Sequence, residues 1–109
     1  MREEERKLLA EIAECFFRDV YYPVTLCIYL RLDGSVSGVF QFDTLYCPAI
    51  RRHGIDADRI FLLSNHHDGR RSPLEQDEIN LSCIRADHPQ ASCFLAIYSS
   101  YDGLMESAL

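Results

Sequence analysis

The chain has 109 residues, 48% of them hydrophobic and 26% charged, with a formal net charge of −6. That length supports a single domain over 1–109 with a core of its own, and the balance of apolar to charged residues excludes wholesale disorder. Its local basic points are two arginine pairs, Arg51-Arg52 and Arg70-Arg71, which make no stripe for a phosphate backbone, so a nucleic-acid partner is not expected.

The first predicted element is an amphipathic helix from Arg2 to about Val20. Leu8, Leu9, Ile12, Ala13, Phe16, Phe17 and Val20 recur at three- and four-residue steps, with Glu11, Glu14 and Arg18 opposite them. Glutamates in the first turn suit the positive end of the helix dipole, and Pro23 ends the segment. Val24 to Leu32 then alternates as a strand does. Val24, Leu26, Ile28, Leu30 and Leu32 face one way, and Thr25, Cys27, Tyr29 and Arg31 the other. Asp33-Gly34 predicts a two-residue hairpin turn, with a return strand over about Ser35 to Phe42 and a candidate bulge at Gly38.

Pro48, Ile50 and Gly54 predict a short helix within Tyr46 to Gly54. Arg59 to Leu63 reads as a short buried strand. Ser72-Pro73-Leu74-Glu75 carries helix-start signals, with Ser72 as the N-cap, Pro73 at the first helical position and Glu75 three after the cap. The helix so begun runs to about Ala86, with Leu74, Leu81 and Ile84 inward and Asp77 on the same face. A competing reading takes Ile79, Leu81 and Cys83 as alternate positions of a strand. Cys93 to Tyr98 is a compact apolar run and reads as another strand. Asp102-Gly103 marks a turn before a tail with the pattern of a frayed last helix.

Five cysteines (Cys15, Cys27, Cys47, Cys83 and Cys93) are an odd number with no Cys-x-x-Cys pair, and most lie in apolar surroundings. They read as reduced thiols, which makes the cytoplasm the expected compartment. The charged N-terminus lacks the apolar region of a secretory signal. The most apolar stretch, Val20 to Leu32, is interrupted by Pro23, Thr25 and Arg31, so no membrane span is expected.

Between the third strand and its helix lies a polar segment, Ser64-Asn65-His66-His67-Asp68-Gly69-Arg70-Arg71. A strand end followed by a Gly-containing loop and a helix start puts His and Asp at the rim of a sheet, where sites are commonly built. Asn65, Arg70 and Arg71 form a candidate binding rim for an acidic partner or a phosphate; the plainer reading is a solvated loop. His53, beside Gly54, and His88, beside Pro89, read as surface histidines near helix ends. A carboxylate at Asp77 is favoured by the helix dipole without any metal.

The order of helix, β-hairpin, short helix, strand, His loop and capped helix resembles the JAB/MPN (JAMM) metalloprotease superfamily, and in particular its RadC-like bacterial branch. That family carries His-x-His after a strand, Pro-Ser before the next helix, and Asp three residues after the Ser. Without a gap, Ser64 and His66 fall on His-x-His, Pro73 and Leu74 on Pro-Ser, and Asp77 on the Asp. Asn65-His66 with Gly69 matches the RadC-like Asn-His followed by Gly, and Leu32-Asp33 matches a strand-end Leu-Asp. The resemblance spans roughly Val24 to Leu81. A fainter likeness, to tellurium-resistance-type stress proteins, rests on Asp77 to Leu81 and Phe94 to Tyr98; the acid-rich calcium-binding segments expected there are missing.

The resemblance implies an α/β fold, a mixed β-sheet flanked by helices of the JAB/cytidine-deaminase type. It implies a depleted metal site. His66 and Asp77 stand at ligand positions, with His67 and Asp68 as candidates for a third ligand. Ser64 replaces the first His, Leu74 replaces the substrate-side Ser and is expected to be buried beside Leu81, and Thr25 falls at the catalytic Glu. A catalytic zinc needs about three protein ligands and a base for its water. The expectation is therefore a non-catalytic binding or scaffold domain with no cofactor and an unidentified protein partner. The alternative is a zinc-dependent peptidase or isopeptidase that borrows its missing ligands.

Overall fold

The computed structural model describes residues 1–42, 57–66 and 68–107. In chain order they form α1 (Glu3–Phe17), β1 (Thr25–Leu30), β2 (Val36–Gln41), β3 (Arg59–Asn65), α2 (Glu75–Asp87), β4 (Ser92–Ser99) and β5 (Gly103–Glu106). The five strands make one mixed sheet in the order β2-β1-β3-β4-β5. β3 and β4 are parallel, and the other neighbouring pairs are antiparallel. A parallel pair needs a crossover, which α2 supplies. The expected α/β fold with a mixed sheet flanked by helices is what the structure shows. The short helix expected within Tyr46 to Gly54, and His53 with it, lie outside the described residues.

Strand parity sorts the core into two layers. Leu26, Ile28 and Leu30 of β1 and Phe61 and Leu63 of β3 pack with Leu9, Ala13 and Phe17 of α1. Cys27 and Tyr29 of β1 and Ile60 and Leu62 of β3 pack with Leu81 and Ile84 of α2. Both faces of the sheet are thus covered, which explains why Ile60-Phe61-Leu62-Leu63 is apolar at every position and fully buried. The burial of Cys27 pushes its thiol up to about 12, so it stays protonated and inert.

Several expectations need correction at their edges. α1 stops at Phe17, so Val20 lies beyond it, and Phe16 is exposed rather than inward. The hairpin is not a two-residue Asp33-Gly34 turn. Gly34 N–H donates to Arg31 O, which puts Leu32 and Asp33 at the centre of the turn and Gly34 after it at φ +88. Leu32 is therefore a turn residue and is exposed. The bulge falls at Ser37, one before Gly38, because Tyr29 pairs with Gly38 and Leu30 with Val36.

Residues 78–84 are helical, which excludes the strand alternative. The N-cap of α2 is Leu74 and not Ser72, since Leu74 is extended and helical backbone begins at Glu75. Leu74 has no side-chain acceptor, so only half of a capping box exists, with Asp77 Oδ2 accepting the Leu74 N–H. The expected terminal helix is instead β5, an edge strand held by Arg6, which donates to Leu104 O, and by the Met1 ammonium on Glu106. His88 is buried, its ring 5.5 Å from that of Tyr29, and is no surface residue.

Candidate functional site

The same parity that builds the core places the polar residues. Thr25 continues the Cys27-Tyr29 face of β1, and Ser64 continues the Ile60-Leu62 face of β3. The two are opposite each other in the antiparallel register. His66, one step past the end of β3, follows Ser64 on that side. α2 presents Asp77, Asn80, Leu81 and Ile84 inward, at the spacing of one helical face. Thr25, Ser64, His66 and Asp77 thereby meet where the sheet end touches the first turn of α2.

All but Thr25 are buried: Ser64, His66 and Asp77 are each at most 4% exposed. Ser64 Oγ donates to Asp77 Oδ1 at 2.6 Å. His66 Nε2 lies 2.9 Å from Asp77 Oδ2, and His66 Nδ1 is 2.8 Å from the Arg70 carbonyl. Thr25 Oγ1 is 3.4 Å from Ser64 Oγ. Among the described residues, no buried side-chain nitrogen or oxygen is left without a partner. Such satisfaction is what makes a buried polar cluster tolerable at low dielectric.

Beside the cluster opens a cleft of about 690 Å³, with Thr25, Gln41, Phe42, Leu74, Gln76 and Asn80 in its wall. Leu74 is half-buried at this mouth and takes no part in the core around Leu81, contrary to expectation. An N-cap side chain leaves the helix before the inward stripe begins, so it stands over the cleft. Asn80 was not picked out in the sequence, although it lies on the Asp77-Leu81-Ile84 stripe. Gln76 Nε2 donates to it at 3.0 Å. Gln41 was also missed, since nothing local marks the last residue of an edge strand.

The other site residues separate. Asn65 is buried and is no part of a rim; its amide donates to the Val20 and Tyr22 carbonyls and ties the segment between α1 and β1 to β3. Arg70 and Arg71 are exposed, Arg70 beside Asp68 at 3.8 Å and Arg71 paired with Asp102. Asp68 is exposed and accepts the Arg70 N–H. His67 lies outside the described residues.

The described cluster supplies two ligand-type side chains, His66 and Asp77, where a catalytic zinc needs about three. Among the described residues no three His, Cys, Asp or Glu side chains come together. The two ligand-type side chains, His66 and Asp77, bind each other, and the Ser64 hydroxyl and Leu74 amide take further carboxylate lone pairs. A zinc site needs its donors aimed at one empty point. No helix among the described residues is long and apolar enough to cross a membrane. No protein-family model matches the chain, and no curated protein matches it.

Proposed function

We propose that the chain is a non-catalytic domain of the JAB type, RadC-like in its motifs, that works as a binding or scaffold module for a partner protein. One observation carries the reading. Four positions of the resemblance, three from the ungapped Ser64 to Asp77 register and Thr25 counted back from Leu32-Asp33, come together in space, and at two of them a hydroxyl stands in for a catalytic group. Thr25 has the place of the base and Ser64 the place of a ligand, 3.4 Å apart. A threonine hydroxyl cannot take a proton from water as a carboxylate does. The cleft wall of amides and apolar side chains beside Leu74 is the surface a partner segment would occupy. Free thiols at Cys15, Cys27, Cys83 and Cys93 accord with work in the cytoplasm.

Calorimetric zinc titration of the wild type and of the Thr25→Glu/Ser64→His double variant, with a peptide-hydrolysis assay alongside, tests this. The wild type is expected to show no tight zinc binding and no hydrolysis, and the double variant a gain in zinc affinity. Absence of that gain would show the register wrong. Tight one-to-one zinc binding by the wild type, abolished by Asp77→Ala, would restore the peptidase.

A further inference from the structure

The Thr25-Ser64-Asp77-His66 cluster joins four segments distant in sequence: the start of β1, the end of β3, the 66–73 loop and the first turn of α2. Donor and acceptor chemistry sets its direction. The Asp77 carboxylate takes the one hydroxyl proton of Ser64, so Thr25 must donate to Ser64 Oγ. The Arg70 carbonyl only accepts, so His66 carries a proton on Nδ1. His66 Nε2 lies 2.9 Å from Asp77 Oδ2, which also receives the Leu74 N–H. The Asp77 carboxylate thus faces the Ser64 hydroxyl, the Leu74 amide and the His66 ring at once.

We infer that this cluster is a metal-independent clasp, in which hydrogen bonds hold the 66–74 loop and the start of α2 onto the sheet. A second set of contacts converges on the same loop. His66 N–H donates to Tyr98 O at 2.9 Å, Gly69 N–H to His66 O at 3.0 Å, and Arg71 reaches Asp102 beyond β4. The loop is thereby fastened at its root by buried bonds and at its tip by exposed ones. Buried bonds contribute more, because water competes poorly for their partners. The clasp goes beyond the proposed function, since it follows from the contacts whether or not the chain is JAB-like.

Amide hydrogen exchange on the full chain, in chelator and in added zinc, tests the clasp. Ser64→Ala removes the link between Thr25 and Asp77. It is expected to speed exchange at Gly69, Leu74 and Asp77 by about tenfold while leaving Leu95 to Ile97 of β4 unchanged. Thr25→Val, which removes only the outermost hydroxyl, is expected to give a smaller acceleration at the same amides and decides the matter if Ser64→Ala does not fold. Chelator and zinc are expected to change nothing in the wild type. Unchanged exchange in the variants, or equal acceleration across the loop and β4, would overturn the clasp. Slower loop exchange in zinc would overturn its independence of metal.

Discussion

Gly69 shows how much one residue of the loop carries. Its backbone sits at φ +79, which L side chains rarely adopt, and a Cβ there would lie 3.0 Å from the Tyr101 ring. Gly34 has the same kind of backbone, φ +88, with nothing within 4 Å of a built Cβ. Gly69→Ala should therefore cost about 1–2 kcal/mol in urea denaturation, and Gly34→Ala about 1 kcal/mol. The difference between them reads the ring contact and is small, because Tyr101 is exposed and can swing away. An unchanged midpoint for Gly69→Ala would mean that the loop gives way there without strain.

At the scale of the element, α2 is held by a narrow stripe. Leu81 and Ile84 enter the core with Asp77 and Asn80 beside them, while Ile79 points to solvent at 48% exposure. Two isoleucines five residues apart should thus answer truncation very differently. Ile84→Ala removes a fully buried side chain and should cost roughly 2–5 kcal/mol, whereas Ile79→Ala should stay within about 0.5 kcal/mol. Chemical denaturation of both variants checks this, and equal losses would contradict the helical register. The Ile79-Leu81-Cys83 strand reading predicts the reverse order, since alternation would put Ile79 on the inward face and Ile84 on the opposite one.

Across the whole molecule, α1 is tied to the sheet by polar contacts as well as by Leu9, Ala13 and Phe17. Glu5 is buried, accepts the Arg2 N–H and pairs with Arg59, whose guanidinium also lies 4.6 Å over the Phe94 ring. Burial alone would raise the Glu5 carboxyl. The hydrogen bonds from Arg59 and Arg2, with the charges of both, outweigh it and leave the group below its ordinary 4.5. A depressed carboxyl contributes stability that is complete above its unfolded value and is lost as pH falls through the folded one. Glu5→Gln should therefore lower stability at neutral pH, with the gap to wild type closing as pH drops below about 4.5. Urea unfolding at stepped pH measures the gap; a gap that widened in acid would reverse the assignment.

Local pattern in the chain was enough to determine α1, the β1–β2 hairpin, β3, β4 and the helical side of α2 that turns inward. Each of these depends on apolar spacing, because only one face of a helix or strand can be removed from water. His66 and Asp77 were legible as candidates, and Ser64 and Thr25 as replaced positions, through their spacing against the motif the chain resembles. That Asp77 would cap its own helix through Leu74 was not, since the strong Ser72-Pro73 signal lies two residues upstream and competes with it. Tertiary structure alone decided that Asn65 is buried, that His88 stands against Tyr29, that Leu74 lines a cleft, and that the tail pairs as β5. Asn65 and His88 depend on partners far along the chain, the segment after α1 and β1 respectively, and the tail on the edge of neighbouring β4. Only the packing of β1, β3 and α2 turned four scattered polar residues into one cluster whose hydrogen-bonding groups are all engaged.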